Sequence, residues 1–224
     1  MISIGIIPAR GGSKSIPLKN IKLFNGKPLI EYSIESALKS GVLDKIVVST
    51  DHDSIAKVCQ KYTDIDIIFR PKEISTDEAL TESALLSVCD ELEKKENFIP
   101  DIVLTLEPTS PMRTAQTIIK SIDILKKQKF DSVIGVLESY GVYGKIVNDC
   151  YEHLFPSQAR RRQEREPLYM ECSTIYATTL QTLRRKNSVI GDKVYPLRIE
   201  KSEAIDINDE YDFLLAEAFQ KIEV

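Results

Sequence analysis

The stretch Ile7-Pro8-Ala9-Arg10-Gly11-Gly12-Ser13-Lys14, continued by Ile16-Pro17-Leu18-Lys19-Asn20, decides how the rest of this chain is read. It follows directly on the apolar run Ile2–Ile7, which has the length and composition of a buried first strand. The loop then brings two adjacent glycines, a hydroxyl, one arginine and two lysines close together. A backbone that must approach a polyphosphate has no room for a Cβ, so glycine suits it. Exposed N–H groups and cations can then hold the anion. The loop is neither a Walker A loop nor a dinucleotide fingerprint, because GxxxxGK(S/T) and G-x-G-x-x-G are both absent. Two readings fit: a nucleotide-triphosphate site on the first loop of an α/β domain, or a flexible basic loop on a solvated surface.

With 224 residues the chain supports one substantial core, so a single domain with an appended arm is expected. A hydrophobic share of 42% and a charged share of 29% place it among ordinary globular proteins. Its net charge of −4 argues against a general nucleic-acid binder, which would be basic. Basic clusters inside an acidic chain point instead to a small anionic ligand. The cysteines Cys59, Cys89, Cys150 and Cys172 form no CxxC pair and have no His at zinc spacing, so they read as thiols in a reducing cytoplasm. Met1-Ile2-Ser3-Ile4 runs straight into a strand, and no uninterrupted apolar run reaches ~18 residues. Neither a signal peptide nor a membrane span is expected.

Strand-like and helix-like segments alternate along the chain. Strands are expected at Ile2–Ile7, Lys45–Ser49, Ile65–Phe69, Ile102–Leu106 and Ser132–Val136. Helices are expected at Leu29–Leu38, Ser54–Tyr62, Thr81–Lys95 and Ala115–Lys127. Thr114 is a natural N-cap for the last of these, with Ile118, Ile119, Ile122 and Leu125 facing inward. Continuous apolar strands separated by helices mean βαβ units and a mostly parallel sheet. The pattern breaks over residues 138–167, which hold several tyrosines and the run Arg160-Arg161-Arg162-Gln163-Glu164-Arg165. That segment is too long for an ordinary connection, and it is expected to be an arm that pairs with another subunit. Its arginines read either as a solvated face or as a binding site for a carboxylate across a dimer. Strand, helix, strand and helix then follow at Thr174–Thr178, Thr179–Arg185, Val194–Ile199 and Asp209–Lys221.

Ligands of a parallel α/β sheet sit beyond the carboxyl ends of its strands. Four polar clusters fall there: Pro8–Asn20, Thr50-Asp51, Arg70-Pro71 and Glu107-Pro108-Thr109-Ser110-Pro111. The segment Asp206-Ile207-Asn208-Asp209 adds an i, i+2 oxygen pair, which in extended backbone points one way. The pair suits a partly hydrated Mg²⁺ shared with substrate phosphates, or else caps the final helix. Asp209 caps in either reading. His52 and His153 stand in no catalytic constellation and are read as structural or surface groups.

In this order the motifs resemble the N-acylneuraminate cytidylyltransferase family, also called CMP-sialate or CMP-nonulosonate synthetases. The resemblance spans nearly the whole chain. It rests on the opening loop, on Val48-Ser49-Thr50-Asp51, Phe69-Arg70-Pro71, Pro108-Thr109-Ser110-Pro111-Met112-Arg113, Arg162-Gln163 and Ile175-Tyr176, and on Ile205-Asp206-Ile207. It implies a Rossmann-like nucleotidyltransferase fold with a protruding dimerisation arm, a homodimer, and Mg²⁺ as cofactor. It implies transfer of CMP from CTP to the anomeric hydroxyl of a 2-keto-3-deoxy sugar acid, with release of pyrophosphate.

By the same resemblance, Arg10, Gly11, Gly12, Ser13 and Lys14 hold the triphosphate, and Asn20, Arg70 and Thr81 the nucleoside. Lys19, Arg10 and Asp206 would be the catalytic groups. Glu107, Lys145, Arg162 and Tyr176 would face the sugar, some of them from a partner subunit, and Asp206 and Asn208 would hold the metal. The chain departs from the family pattern at three places. Glu107 replaces the usual Gln, Cys172-Ser173 replaces Asn-Gly, and Asn208 stands where Asp is common. Exchanging an amide for a carboxylate at Glu107 removes two donors and adds a charge, which alters the sugar side. A nucleotidyltransferase for a Kdo-like or other sugar, and a non-catalytic nucleotide-binding protein, remain alternatives.

Overall fold

The computed structural model describes residues 1–13, 15–76 and 78–222. Strand β1 (Ser3–Pro8) is buried on both faces: Ile4 and Ile6 pack to one side of the sheet and Ile7 to the other, none with exposed surface. A short hairpin follows, β2 (Leu23–Phe24) and β3 (Lys27–Pro28), turning on Asn25-Gly26 with φ of 45° and 83°. Both central residues of such a tight hairpin need positive φ, which Asn and Gly tolerate. Helix α1 (Leu29–Ser40) ends on Gly41 at φ 62°, whose N–H returns to the Leu38 carbonyl.

Strand β4 (Lys45–Thr50), helix α2 (Asp53–Cys59), strand β5 (Asp66–Phe69) and helix α3 (Thr81–Glu96) come next. Then follow β6 (Ile102–Thr105), α4 (Ala115–Lys126) and β7 (Ser132–Ser139). Thr114 caps α4 by accepting the Thr117 N–H. Ile118, Ile122 and Leu125 are buried, whereas Ile119 sits half-buried at the edge of that stripe. The remainder comprises β8 (Gly144–Val147), β9 (Cys150–His153), β10 (Leu168–Thr179), α5 (Leu180–Lys186), β11 (Val194–Arg198) and α6 (Glu210–Ile222).

Seven strands form one sheet in the order β11-β7-β10-β6-β1-β4-β5. It is parallel except for β10, which runs antiparallel between β6 and β7. The exception has a simple cause: β7 returns to β10 through the arm and not through a helical crossover. One core cluster, with Ile30, Ile34, Ile118 and Ile122, covers one face of the sheet; a second, with Leu85, Val88, Leu92 and Leu183, covers the other. This is the mostly parallel, helix-covered sheet read from the sequence. Among the described residues no helix is long and apolar enough to cross a membrane. All four cysteines are free thiols.

The arm is shorter than its sequence signal. Strand β7 continues to Ser139, and β10 begins at Leu168 opposite it. Between them β8 and β9 pair as a separate hairpin, with Ile146 78% and Tyr151 56% exposed. Arg165 staples the arm's base by donating to the carbonyls of Ala159 at 2.8 Å, Tyr140 at 2.6 Å, and Arg160. Further along β10 the pairing with β7 slips between Cys172 and Tyr176, leaving 173–175 as a bulge.

Candidate active site

The opening loop leaves β1 at its carboxyl end and is tied at several points. Ala9 donates to the Ser49 carbonyl at 2.8 Å, and Gly11 N–H donates to Asp51 Oδ1 at 2.8 Å. Asn20, almost fully buried, donates from Nδ2 to the Arg10 carbonyl at 2.9 Å, so the loop closes on itself. Arg10 reaches the Thr76 carbonyl at 3.1 Å. The two glycines differ. A Cβ on Gly11 would lie 2.5 Å from the His52 ring and 2.8 Å from its Cβ. His52 has its own task, since its Nδ1 accepts the Ser54 N–H and caps α2. A Cβ on Gly12 would meet nothing within 4 Å. Protein packing therefore explains Gly11, and of the two glycines Gly12 is the one with open space beside it.

Arg10, Ser13, Lys19, Asn20, Arg70 and Thr81 line one cleft of about 230 Å³, with Glu107, Pro108 and Thr109 closing one side. Three strand ends, those of β1, β5 and β6, thus supply one concavity, as the topology of a parallel sheet dictates; Asp51, past β4, contributes by holding the Gly11 N–H. Lys14 lies outside the described residues. Arg70 donates to the Ser49 carbonyl at 2.6 Å while its Nε is buried without a partner. Burial lowers the pKa of its guanidinium from the ordinary value, and Asp51 partly offsets that.

Lys19 Nζ donates to the Ile207 carbonyl at 2.7 Å, and Ser15 Oγ donates to the Asn208 carbonyl. The opening loop is thereby fastened to the segment before α6. Burial lowers the Lys19 pKa, while Asp206, Glu107 and Asp212 pull it back up. An aromatic cluster anchors the same segment from behind: Phe24 meets Tyr32 and Phe213 edge-on, at 5.1 and 5.6 Å between ring centres, beside buried Ile16 and Ile207. Asp209 Oδ1 accepts the Asp212 N–H at 2.9 Å, and Asp212 Oδ2 accepts the Asn208 and Asp209 N–H groups. Helix capping thus falls to Asp209 and Asp212.

Asp206 and Asn208 are left facing each other, with Asn208 Nδ2 donating to Asp206 Oδ2 at 2.9 Å. Asp206 Oδ1 is buried and has no partner. An orphaned buried carboxylate oxygen, next to a residue whose side chain carries a further oxygen donor, suits a hard divalent cation. Among the described residues there is no cluster of three or more His, Cys, Asp or Glu, so further ligands would come from water or substrate.

Glu107, Pro108 and Thr109 close one side of the cleft, and hydrogen bonds link this loop to the β10 bulge behind it. Glu107 is half-buried, and its carboxyl is pushed above the usual range by burial first and by Asp206 second. Arg113, which sequence reasoning quoted within a motif but gave no role, lies fully buried behind it. It donates to the carbonyls of Glu107 and Thr174 and to Ser33 Oγ. Ser110 and Ser173 hydroxyls meet at 3.1 Å, joining the β6 loop to the β10 bulge. Tyr176 stands opposite Thr105 in the ladder and donates to Glu171 Oε1 at 2.9 Å, an interaction that with burial raises its pKa.

Of the residues expected on the sugar side, Glu107 lines this cleft, Tyr176 is not among its lining residues, and Lys145 and Arg162 lie apart from it within the chain. Lys145 is on the β8–β9 hairpin, paired with Glu152 at 3.3 Å and largely exposed. Arg162 sits in a short helical turn, Arg162–Glu164, with its guanidinium 5.5 Å from the Tyr140 ring centre. The signal for Arg113 was present in the sequence as a charged residue immediately before a predicted buried helix.

Comparison with known proteins follows the same lines. The family model described as cytidylyltransferase matches residues 4–223. The chain is 31% identical over 229 residues to CMP-N,N'-diacetyllegionaminic acid synthase of Legionella pneumophila, covering 98% of this chain and 96% of that protein. It is 29% identical over 221 residues to N-acylneuraminate cytidylyltransferase of Streptococcus agalactiae, covering 96% of this chain and 52% of that one. The chain thus spans about half the length of the latter relative. Over 112 residues, 50% of this chain and 48% of the other, it is 46% identical to pseudaminic acid cytidylyltransferase of Campylobacter jejuni.

Among solved structures, CMP:2-keto-3-deoxy-manno-octonic acid synthetase complexed with CTP superposes with a TM-score of 0.72 at 18% identity, covering 100% of both chains. The 4-diphosphocytidyl-2C-methyl-D-erythritol synthase of Anaerococcus prevotii gives 0.70, also at 18% identity, covering 98% of both. At that identity these two speak for the fold. From the match over residues 4–223 and the relative shared along nearly its full length, the chain belongs to the cytidylyltransferase family.

Proposed function

We propose that this chain transfers CMP from CTP to the anomeric hydroxyl of a nonulosonic acid of the sialic, legionaminic or pseudaminic type. The observation that carries the reading is the convergence of Arg10, Ser13, Lys19 and Arg70 on one cleft at the carboxyl ends of β1 and β5. Relatives named for legionaminic, N-acylneuraminic and pseudaminic acids support the sugar class.

In the reaction the hydroxyl oxygen bonds to the α-phosphorus of CTP. The bond from that phosphorus to the α–β bridging oxygen breaks, pyrophosphate leaves with the electron pair, and the hydroxyl proton passes to solvent. Such a transfer needs alignment and charge neutralisation more than covalent help from protein. Lys19 presents an ammonium held in place by the Ile207 carbonyl. Arg10 and the open backbone at Gly12 receive phosphate oxygens, and Asn20, Arg70 and Thr81 hold the nucleoside. Asp206 and Asn208 are assigned to Mg²⁺. When bound, that ion supplies charge neutralisation for the phosphates and orients the leaving group. Glu107 and Tyr176 face the sugar.

Lys145 and Arg162 serve the sugar only from a second copy, so we propose a homodimer joined through the arm. The exposed apolar side chains Ile146, Tyr151, Leu154 and Phe155 favour it. We place the enzyme in the cytoplasm, where free thiols persist. Mass spectrometry of products tests the reading. The purified chain with CTP, a sugar acid and Mg²⁺ gives a CMP-sugar, and chelation by EDTA abolishes it. Absence of adduct with every sugar acid of the class would overturn the assignment.

A further inference from the structure

We infer that Arg113 is a positioning residue which fixes the sugar-side wall of the cleft and leaves the nucleotide side untouched. This rests on the proposed function. Arg113 is 3% exposed. A guanidinium at that depth persists only where its donors are matched, and here three acceptors from three elements meet it. Nε donates to the Thr174 carbonyl in the β10 bulge, Nη1 to Ser33 Oγ on α1 at 3.0 Å, and Nη2 to the Glu107 carbonyl just past β6 at 2.7 Å.

Ser33 Oγ itself donates to the Glu107 carbonyl at 3.1 Å, closing a ring of hydrogen bonds, and the Ser110 N–H adds a third donor at 3.3 Å. The bulge explains why a guanidinium is needed. The β7–β10 register jumps from Cys172 to Tyr176, and pairing with β6 begins only at Tyr176. No ladder therefore reaches the buried Thr174 carbonyl, and Arg113 supplies its donor. Thr174 Oγ1 continues the chain by donating to the Glu203 carbonyl, and Glu203 Oε1 accepts the Thr114 N–H beside Arg113.

One planar fork thus sets the Glu107 loop and the bulge relative to each other. A lysine keeps the charge but offers no such fork. No hydrogen bond of Arg113 among the described residues reaches residues 9–20, so its effect is confined to one side.

Two measurements on Arg113→Lys and Ser33→Ala test this. In steady state, Arg113→Lys raises KM for the sugar acid at least about tenfold while KM for CTP stays within about twofold; Ser33→Ala gives the same pattern at about threefold. In hydrogen exchange, which needs no substrate, amides of 107–110 and 172–175 exchange faster in both variants while those of 9–20 are unchanged. Equal rises in both KM values, or uniform change in exchange, would show a merely structural role and overturn the inference. Should Arg113→Lys not fold, Ser33→Ala decides alone. Wild-type protein inactive with every sugar acid removes the proposed function and leaves the exchange result to judge Arg113.

Discussion

The two sides of the cleft are built on different principles. The side proposed for the nucleotide is one continuous loop, each tie of which joins a side chain to a backbone group: Asp51 to Gly11, Asn20 to Arg10, Lys19 to Ile207. The side proposed for the sugar is assembled from segments far apart in sequence, which meet at buried Arg113 and Ser110 and at half-buried Ser173. The first kind of site can be written in one short motif. The second is distributed, so under the proposed function single changes there alter the choice of sugar and leave the opening loop intact. All three departures from the family pattern fall outside the opening loop, at Glu107, Cys172-Ser173 and Asn208.

The largest expected effect comes from the nucleotide side. Replacing Lys19 by alanine removes the cation nearest the proposed reacting phosphates and lowers turnover by about 10²–10³-fold, or ~3–4 kcal/mol of transition-state stabilisation. Pyrophosphate release measures it, and turnover within a few-fold of wild type contradicts the role.

On the sugar side, Glu107→Gln restores two donors and removes a charge. It changes the order of preference among sugar acids by about tenfold in kcat/KM, as loss or gain of a buried charged hydrogen bond does. CTP affinity stays as it was; an unaltered ranking would show that the position is not selective.

The two glycines sharpen the comparison within the loop itself. Gly11→Ala drives a Cβ into His52 and disturbs the α2 cap, costing about 1–3 kcal/mol of stability. Gly12→Ala, with open space around it, changes stability by less than about 0.5 kcal/mol but weakens CTP binding. Thermal unfolding and CTP titration of both variants separate packing from ligand approach.

The smallest effect concerns pH. The folded-state pKa of Glu107 is raised above the ordinary 4.5, so its protonated form favours the folded state. Its stabilising contribution is complete below 4.5 and is lost as pH rises through the folded value. Glu107→Gln therefore gains stability over wild type as pH rises through that window, and matches it below. Parallel denaturation curves across pH would contradict the assignment.

Much of this fold was legible because each level of the sequence agreed. Apolar runs of strand length alternated with helical stripes, and the cap Thr114 marked a boundary. The missed hairpin at residues 23–28 had its signal in Asn25-Gly26, but strands of two residues carry no periodicity to read. Strand β10 extends beyond its expected start because its outer half pairs with β7 alone, a tertiary fact. Arg113 stood in the sequence as a charged residue just before a helix, but its role was hidden for a similar reason: two of its partners are carbonyls, which any residue supplies, and the third, Ser33, lies 80 residues away.

Pyrophosphate release, assayed with each of the four common nucleoside triphosphates against a panel of sugar acids, tests the central claim most directly. The account predicts release with CTP only, and only when a nonulosonic acid is present. Equal release with other triphosphates, or none with any nonulosonic acid, would contradict it.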